Sequence, residues 1–293
     1  MQAHPRFLLL LFVTISLQTN CLSLSPRKAV GEEKTTPRGE VTLSYYISGK
    51  GKTVIMIPSL GRAGSDFNEL ALGLNASGYR TICIDPRGTG KTTGVNGDNI
   101  DLHELAKDIK SIADTETRPT ERVTVLGHAF GNRVARVFAT DYPEKTSSVV
   151  LLAAGGKIEI EPKVRDAIKH SLWVFMPDFW RVGKIKYAFF SDEHEVPDYW
   201  IVGWNIRTAL LQRKATDSVS HQSWWGGGNA PMLVVQANQD RVAPPEHTSK
   251  LLKEEFGSRI TIAEIENSGH SLLPEQPEKI EKSILSFLAK IKH

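Results

Sequence analysis

A chain of 293 residues, 40% apolar and 24% charged, is long enough for one large globular α/β domain, or one domain carrying an insertion, with a substantial core. The formal net charge of +3 is mild, and no lysine–arginine run is dense enough to track a phosphate backbone, so nucleic acid is excluded as the expected partner. Histidine, cysteine and carboxylate spacing suggests no metal site, and nothing in the sequence calls for a cofactor.

Arg6 precedes a mainly apolar run over residues 7–15, followed by the small and polar residues Ser16, Thr19, Asn20 and Ser23. This is the layout of a secretory signal peptide over residues 1–24, with cleavage expected between Cys21 and Leu24 and export, to a periplasm or out of the cell, as the expected localisation. The run is shorter than the roughly 20 residues of a spanning helix, so no stable membrane span is expected after cleavage, and an uncleaved anchor is the lesser reading. Gln18, Thr19 and Asn20 do not make a lipobox, which weighs against lipidation of Cys21. Once Cys21 leaves, Cys83 is the only cysteine, no internal disulfide is possible, and its apolar strand marks it as a small buried hydrophobe.

Residues 25–38 read as a polar linker, and the folded domain is expected over residues 39–293. From Gly39 onward, β-branched apolar runs alternate with amphipathic stretches, the pattern of an α/β fold with a mainly parallel sheet flanked by helices. Strands are predicted over residues 41–48, 53–57, 80–84, 122–126, 148–153, 232–237 and 260–266; helices over 65–76, 102–113, 130–142, 245–255 and 278–291.

The alternation breaks over residues 157–228, where apolar residues recur at helical spacing, and this stretch reads as an inserted helical lid. It holds all six tryptophans, Trp173, Trp180, Trp200, Trp204, Trp224 and Trp225. Each one by itself is best read as packing, while the group as a whole points to an apolar ligand pocket between lid and core. The run Gly226-Gly227-Gly228 suits a flexible return into the core.

The most informative segment runs from Val123 through Gly127-His128-Ala129-Phe130-Gly131 to Arg136, an apolar strand passing through a glycine-bracketed turn straight into a helix. In such a turn the central residue sits on strained backbone and projects over the sheet, which requires small neighbours at the two glycine positions. Ala129 occupies the tip. The segment resembles the nucleophile elbow Gly-x-Ser-x-Gly of the α/β-hydrolase superfamily, and the likeness extends over nearly everything after Gly39. Asp85-Pro-Arg-Gly-Thr-Gly90 is similar to the family's Asp-x-Arg-Gly-x-Gly turn. Gln236-Ala-Asn-Gln-Asp240 and Asn267-Ser-Gly-His270 are similar to the loops that deliver its acid and base.

The resemblance implies a catalytic role for His270 as base and Asp240 as its partner, with Ala129 at the nucleophile position and inert. It also implies an oxyanion hole from the backbone N–H groups of Leu60 and Phe130, with Ser59 and His128 as further binding candidates. Ser59, in the departing sequence Pro58-Ser-Leu-Gly-Arg62, is the nearest candidate for a displaced nucleophile, although it reads first as a turn serine. Two motifs fail. Gly90-Lys91-Thr92 lacks the first glycine of a phosphate-binding loop, that position being Asp85, and Asn75-Ala76-Ser77 is as well explained by chance as by glycosylation.

Two functions remain open from the residues. One is an enzyme that acts on a small, partly apolar carbonyl or ester compound through His270 and Asp240 without a covalent intermediate. The other is a non-catalytic homologue that binds a small apolar ligand under the lid.

Overall fold

A computed structural model describes residues 27–291; the expected signal peptide, Cys21 and the cleavage site lie outside the described residues. Eight strands form one sheet: β1 (Glu32–Arg38), β2 (Val41–Gly49), β3 (Lys52–Ile57), β4 (Tyr79–Asp85), β5 (Val123–His128), β6 (Thr146–Leu152), β7 (Met232–Ala237) and β8 (Ile260–Ile265). Their order across the sheet is β1-β2-β4-β3-β5-β6-β7-β8. β2 runs antiparallel to both neighbours, and every pairing from β4 to β8 is parallel.

The helices are α1 (Asn68–Ala76), α2 (Leu102–Glu116), α3 (Gly131–Asp141), α4 (Pro162–Ser171), α5 (Asp178–Phe189), α6 (Asp198–Ile201), α7 (Ile206–Asp217), α8 (Ser249–Phe256) and α9 (Pro277–Leu288). Because side chains alternate along a strand, β5 and β6 supply both faces of the sheet. Val125, Val149 and Leu151 join Ile109 of α2 and Val134 and Phe138 of α3 in one apolar cluster. Leu126, Val150 and Leu152 join Leu70 and Leu74 of α1 and Ile280 and Ile284 of α9 in the other. Both faces being covered is why these strands read as continuous apolar runs. Cys83 on β4 lies within this core, and burial pushes its thiol up to about 12.

The expectation of a linker up to Arg38 is corrected: residues 32–38 are the edge strand β1, paired with β2 from Glu32↔Ile47 to Arg38↔Val41. Its sequence, Glu-Glu-Lys-Thr-Thr-Pro-Arg, has no apolar alternation, because only Thr36 turns inward to burial. Pro37 is tolerated there since an edge strand has one side without a partner. Polar anchors hold the strand instead. Arg38 donates to Glu104 at 2.7 Å and to the buried Asp108 at 2.9 Å, and Thr36 meets Thr115 at 3.1 Å.

The half-buried Asn75 is tied into the fold, its amide donating to Ser48 Oγ at 2.7 Å and accepting from Thr81 Oγ1 at 3.1 Å. Between β6 and β7 lie α4 to α7, with a third apolar cluster of their own that includes Ile185, Phe189, Phe190, Trp200 and Trp204.

Deleting residues 27–38 is expected to lower stability by about 2 kcal/mol or more, from the lost ladder and the lost Arg38 bonds to Glu104 and Asp108, and to expose the β2 edge to association. Urea unfolding and sedimentation of the shortened chain beside the parent check both effects.

Candidate active site

The turn between β5 and α3 has the geometry the sequence demanded. Ala129 sits at φ 48°, a region that costs an L-residue roughly 1–2 kcal/mol. A Cβ on Gly127 would lie 2.3 Å from the carbonyl carbon of Gly131, and one on Gly131 would lie 2.1 Å from the carbonyl oxygen of Ile57. Side chains are therefore barred at both flanks. The buried Asn132, in the first turn of α3, donates to the carbonyls of Leu152 and Ala153 at 2.9 and 3.1 Å and ties the turn to the end of β6.

The acid and base loops leave the C-terminal ends of β7 and β8 and are joined by the N–H of Gln239 donating to the carbonyl of Ser268 at 3.0 Å. Asp240 is buried, and its Oδ1 accepts from the N–H groups of Val242 and Ala243 at 2.9 and 2.8 Å. Nδ1 of His270 lies 3.0 and 2.9 Å from the two oxygens of Asp240. A proton on Nδ1 satisfies both, which leaves Nε2 as the ring nitrogen free to accept. The base loop is fixed in turn by the buried Glu275, which accepts from the N–H of Gly269 at 2.8 Å and from Ser271 Oγ at 3.0 Å.

His128 falls in a different place from the other binding candidates. Its ring is fully buried and Nε2–H donates to the backbone carbonyl of His270 at 2.9 Å, so its donor supports the base loop and is not available to a developing oxyanion. Burial, and the neighbouring His270, lower its pKa from 6.5 to about 4, and it is neutral at ordinary pH. Leu60, Phe130 and Ser59 lie where β3 and β5 end side by side, the last register pair being Ile57↔Gly127. Phe130 and Ser59 are buried and Leu60 is partly so.

Sequence reasoning missed the polar network that roofs this site. Arg62, 2% exposed, is bidentate to Asp66 at 2.7 and 2.8 Å and donates to the carbonyls of Tyr199 and Val202 at 2.9 and 3.0 Å. Its guanidinium carbon lies 4.7 and 5.0 Å from the ring centroids of Trp200 and Trp204. Gln212 of α7 accepts the N–H of Gly61 at 2.8 Å, and Thr208 donates to the carbonyl of Arg87 at 2.8 Å. The only sequence signal was an Arg and an Asp four residues apart, one ending the Pro58–Arg62 loop and the other at the start of the helix predicted over 65–76.

The tryptophans separate into three pairs. Trp224 and Trp225 pack into the main core with Arg136, whose guanidinium carbon lies 4.6 and 4.9 Å from their centroids. Trp200 and Trp204 pack on Phe189, whose ring centroid lies 6.0 Å from that of His270, and Trp200 also lies 6.5 Å from the His128 ring. Trp173 and Trp180 stack on each other at the turn of α4 and α5. None of the three principal cavities of the described residues is lined by Ala129, Asp240 or His270. The same residues contain no group of three His, Cys, Asp or Glu able to hold a metal ion, and no helix long and apolar enough to cross a membrane.

The strand order, the strand–turn–helix elbow and the ordered acid and base loops define an α/β-hydrolase-fold protein. Residues 50–277 match the family model described as serine aminopeptidase, S33, and the chain belongs to that α/β-hydrolase family. It is 24% identical over 275 residues to the 2-hydroxy-6-oxononadienedioate/2-hydroxy-6-oxononatrienedioate hydrolase of Klebsiella pneumoniae subsp. pneumoniae, covering 86% of this chain and 93% of the relative. Identity is also 24%, over 278 residues, with the non-heme chloroperoxidase CPO-A1 of Kitasatospora aureofaciens, covering 87% and 98%. The esterase of Exiguobacterium antarcticum shares the fold with a TM-score of 0.74 at 18% identity, covering 89% of this chain and all of its own.

Stability should carry two opposed proton linkages between pH about 6 and about 4. Unfolding returns His128 from about 4 to 6.5, so the unfolded chain takes the proton first and stability falls with pH. Asp85, raised by burial from 3.8 to about 6, does the reverse: the folded chain takes its proton first and gains stability as pH falls. In urea titrations across this window, His128→Gln is expected to remove a loss approaching 1.4 kcal/mol per pH unit. Asp85→Asn is expected to steepen that loss.

Proposed function

We propose that the chain is an exported α/β-hydrolase-like protein acting on a small, partly apolar carbonyl or ester compound through His270 and Asp240, without a covalent intermediate. One observation supports the reading above others: Nδ1 of the buried His270 is held by both oxygens of Asp240 at 3.0 and 2.9 Å, so Nε2 is the nitrogen left to accept a proton. Alanine has no nucleophile, and bound water takes its place. As the water oxygen bonds to the carbonyl carbon, His270 accepts its proton at Nε2, and the backbone N–H groups of Leu60 and Phe130 receive the oxyanion. Collapse of the adduct breaks the bond to the leaving alkoxide, to which His270 returns the proton. Removing the nucleophile from a Ser-His-Asp site leaves roughly 10³–10⁴-fold acceleration over water, so modest rates are expected. A small-molecule substrate is also supported by the names of the relatives, a 2-hydroxy-6-oxononadienedioate/2-hydroxy-6-oxononatrienedioate hydrolase and a non-heme chloroperoxidase.

A second reading, ligand binding without chemistry, is favoured by what covers the site. Ala129 and His270 are 6% and 4% exposed, and the Phe189 ring, backed by Trp200 and Trp204, lies against that of His270. Among the described residues, Nδ1 of His128 and the indole N–H of Trp200 have no protein partner, and a polar atom of a ligand would satisfy them.

Hydrolysis of short-chain and aryl esters by the purified chain, run beside His270→Ala, separates the two readings. Loss of activity in the variant supports the dyad; equal background rates refute ester hydrolysis by it and leave the binding reading. Ala129→Ser is expected to raise esterase activity about 10²-fold or more, given the size of nucleophile effects in such sites. No gain would mean that the oxyanion groups or the dyad are misplaced. For export, the amino terminus of the secreted protein is expected within residues 22–25, and an intact Met1 would overturn that expectation.

A further inference from the structure

The turn between α4 and α5 points apolar side chains into solvent. Val174, Phe175 and Phe179 are 45%, 74% and 83% exposed and cluster at one end of the hairpin. Behind them Trp173 and Trp180 stack with centroids 6.0 Å apart and planes 14° apart, and Phe175 stacks on Trp173 at 5.9 Å. Such a contiguous patch on a folded domain marks a surface that meets something apolar.

The charge around the patch narrows what that is. The two helices carry Lys163, Arg165, Lys169, Lys184 and Lys186 on their surfaces, against Asp166 and Asp178; Arg165 is paired with Glu159 at 3.7 Å and Lys186 with Glu195 at 3.4 Å, which leaves Lys163, Lys169 and Lys184 as the cations nearest the patch. Asp178 is already paired with Arg181 at 3.0 Å. Beside Trp180 a cleft of about 240 Å³ opens between α4 and α5, lined by Lys163 and Lys184, with Asp166 on the same wall. The Lys184 ammonium lies 5.9 Å from the Trp180 centroid and that of Lys163 lies 4.7 Å from the Tyr187 centroid. From the tip inward the order is therefore aliphatic and phenyl groups, then indoles, then ammonium groups.

That order matches the cross-section of a bilayer face: acyl chains, then the interfacial zone favoured by tryptophan, then headgroup phosphates. A protein partner would need apolar surface but not this layering of indole and ammonium groups. We propose that the α4–α5 tip docks on an anionic lipid membrane, with Phe175, Phe179 and Val174 entering the acyl boundary and Lys163 and Lys184 meeting headgroup phosphates. The docking is peripheral, and it is independent of whether His270 and Asp240 perform chemistry.

The test is flotation of the purified full chain with vesicles of phosphatidylcholine alone, and of phosphatidylcholine mixed with phosphatidylserine. Wild type is expected to float with the mixed vesicles, less so at high salt, with inorganic phosphate no better a competitor than other salts of equal ionic strength. Phe175→Ser with Phe179→Ser is expected to cut partitioning about a hundredfold, and Lys163→Glu with Lys184→Glu at least about tenfold. All four side chains lie outside the buried core, so an unchanged unfolding midpoint is expected. The first 26 residues are common to every variant, so differences report the tip. Flotation of the phenylalanine variant equal to wild type would overturn the proposal, as would equal flotation on phosphatidylcholine alone. So would a self-association, seen without vesicles, that the same substitutions abolish.

Discussion

The backbone contact between the start of α3 and the end of β3 sets the geometry of everything above the sheet. With a Cβ on Gly131 landing 2.1 Å from the Ile57 carbonyl, no other residue lets α3 approach its neighbour closely enough for the turn at Ala129 to close. Once closed, that turn places β3's outgoing loop, the N-terminus of α3 and the ends of β5 and β6 within reach of one another. The constraint is a property of the glycines, not of the residue they flank. The shape of a nucleophile elbow is consequently kept here with no nucleophile in it.

Buried charge does a second job in this molecule, which is to fasten loops together without apolar contact. Asp240 receives two backbone N–H groups as well as Nδ1 of His270, and Glu275 receives Gly269, Ser271 and, at 2.7 Å, the N–H of Ser191 just after α5 within the insertion. On the other side of the sheet's edge, Arg87 is bidentate to Asp108 at 2.6 and 2.9 Å. Carboxylates buried with this many donors avoid the desolvation penalty of lone ones. Asp85 shows the contrast: its one backbone donor, the Gly64 N–H at 3.0 Å, does not offset burial, and its pKa rises to about 6.

The parts of the fold legible in the sequence were those written in local periodicity or in steric need. β5 and β6 announce themselves because both faces are covered, and Gly127 and Gly131 because their neighbours leave no room. β1 was illegible because its burial is nearly all polar: Thr36 and Arg38 find their partners on α2, some seventy residues away, and alternation cannot register that. Of the site, the pairing of His270 with Asp240 followed from motif order. The role of His128 did not, since its partner is a backbone carbonyl 142 positions on. Nor could spacing tell which tryptophans cover the site. Trp200 and Trp224 each have a second tryptophan within four residues, and the Arg each one meets, Arg62 or Arg136, comes from a different part of the chain.

The insertion is fastened near both ends of α5, and this gives it the mechanics of a beam on two supports. Arg62, Gly61, Arg87 and Gly88 clamp the chain from Tyr199 through α7 to the core loops. At the C-terminal end of α5, Arg241 holds the carbonyls of Tyr187 and Phe190 at 3.3 and 3.0 Å, and near its N-terminal end the buried Arg181 donates to the carbonyl of Ile201 at 2.8 Å, so only the aromatic turn beyond Arg181 overhangs. The two fastenings stand near opposite ends of a helix roughly 18 Å long. Phe189, at the Arg241 end, is in contact range of the His270 ring. A load on the tip is thus borne at two supports, one beside the phenyl ring that meets the base and one on the clamped half that carries Trp200 and Trp204.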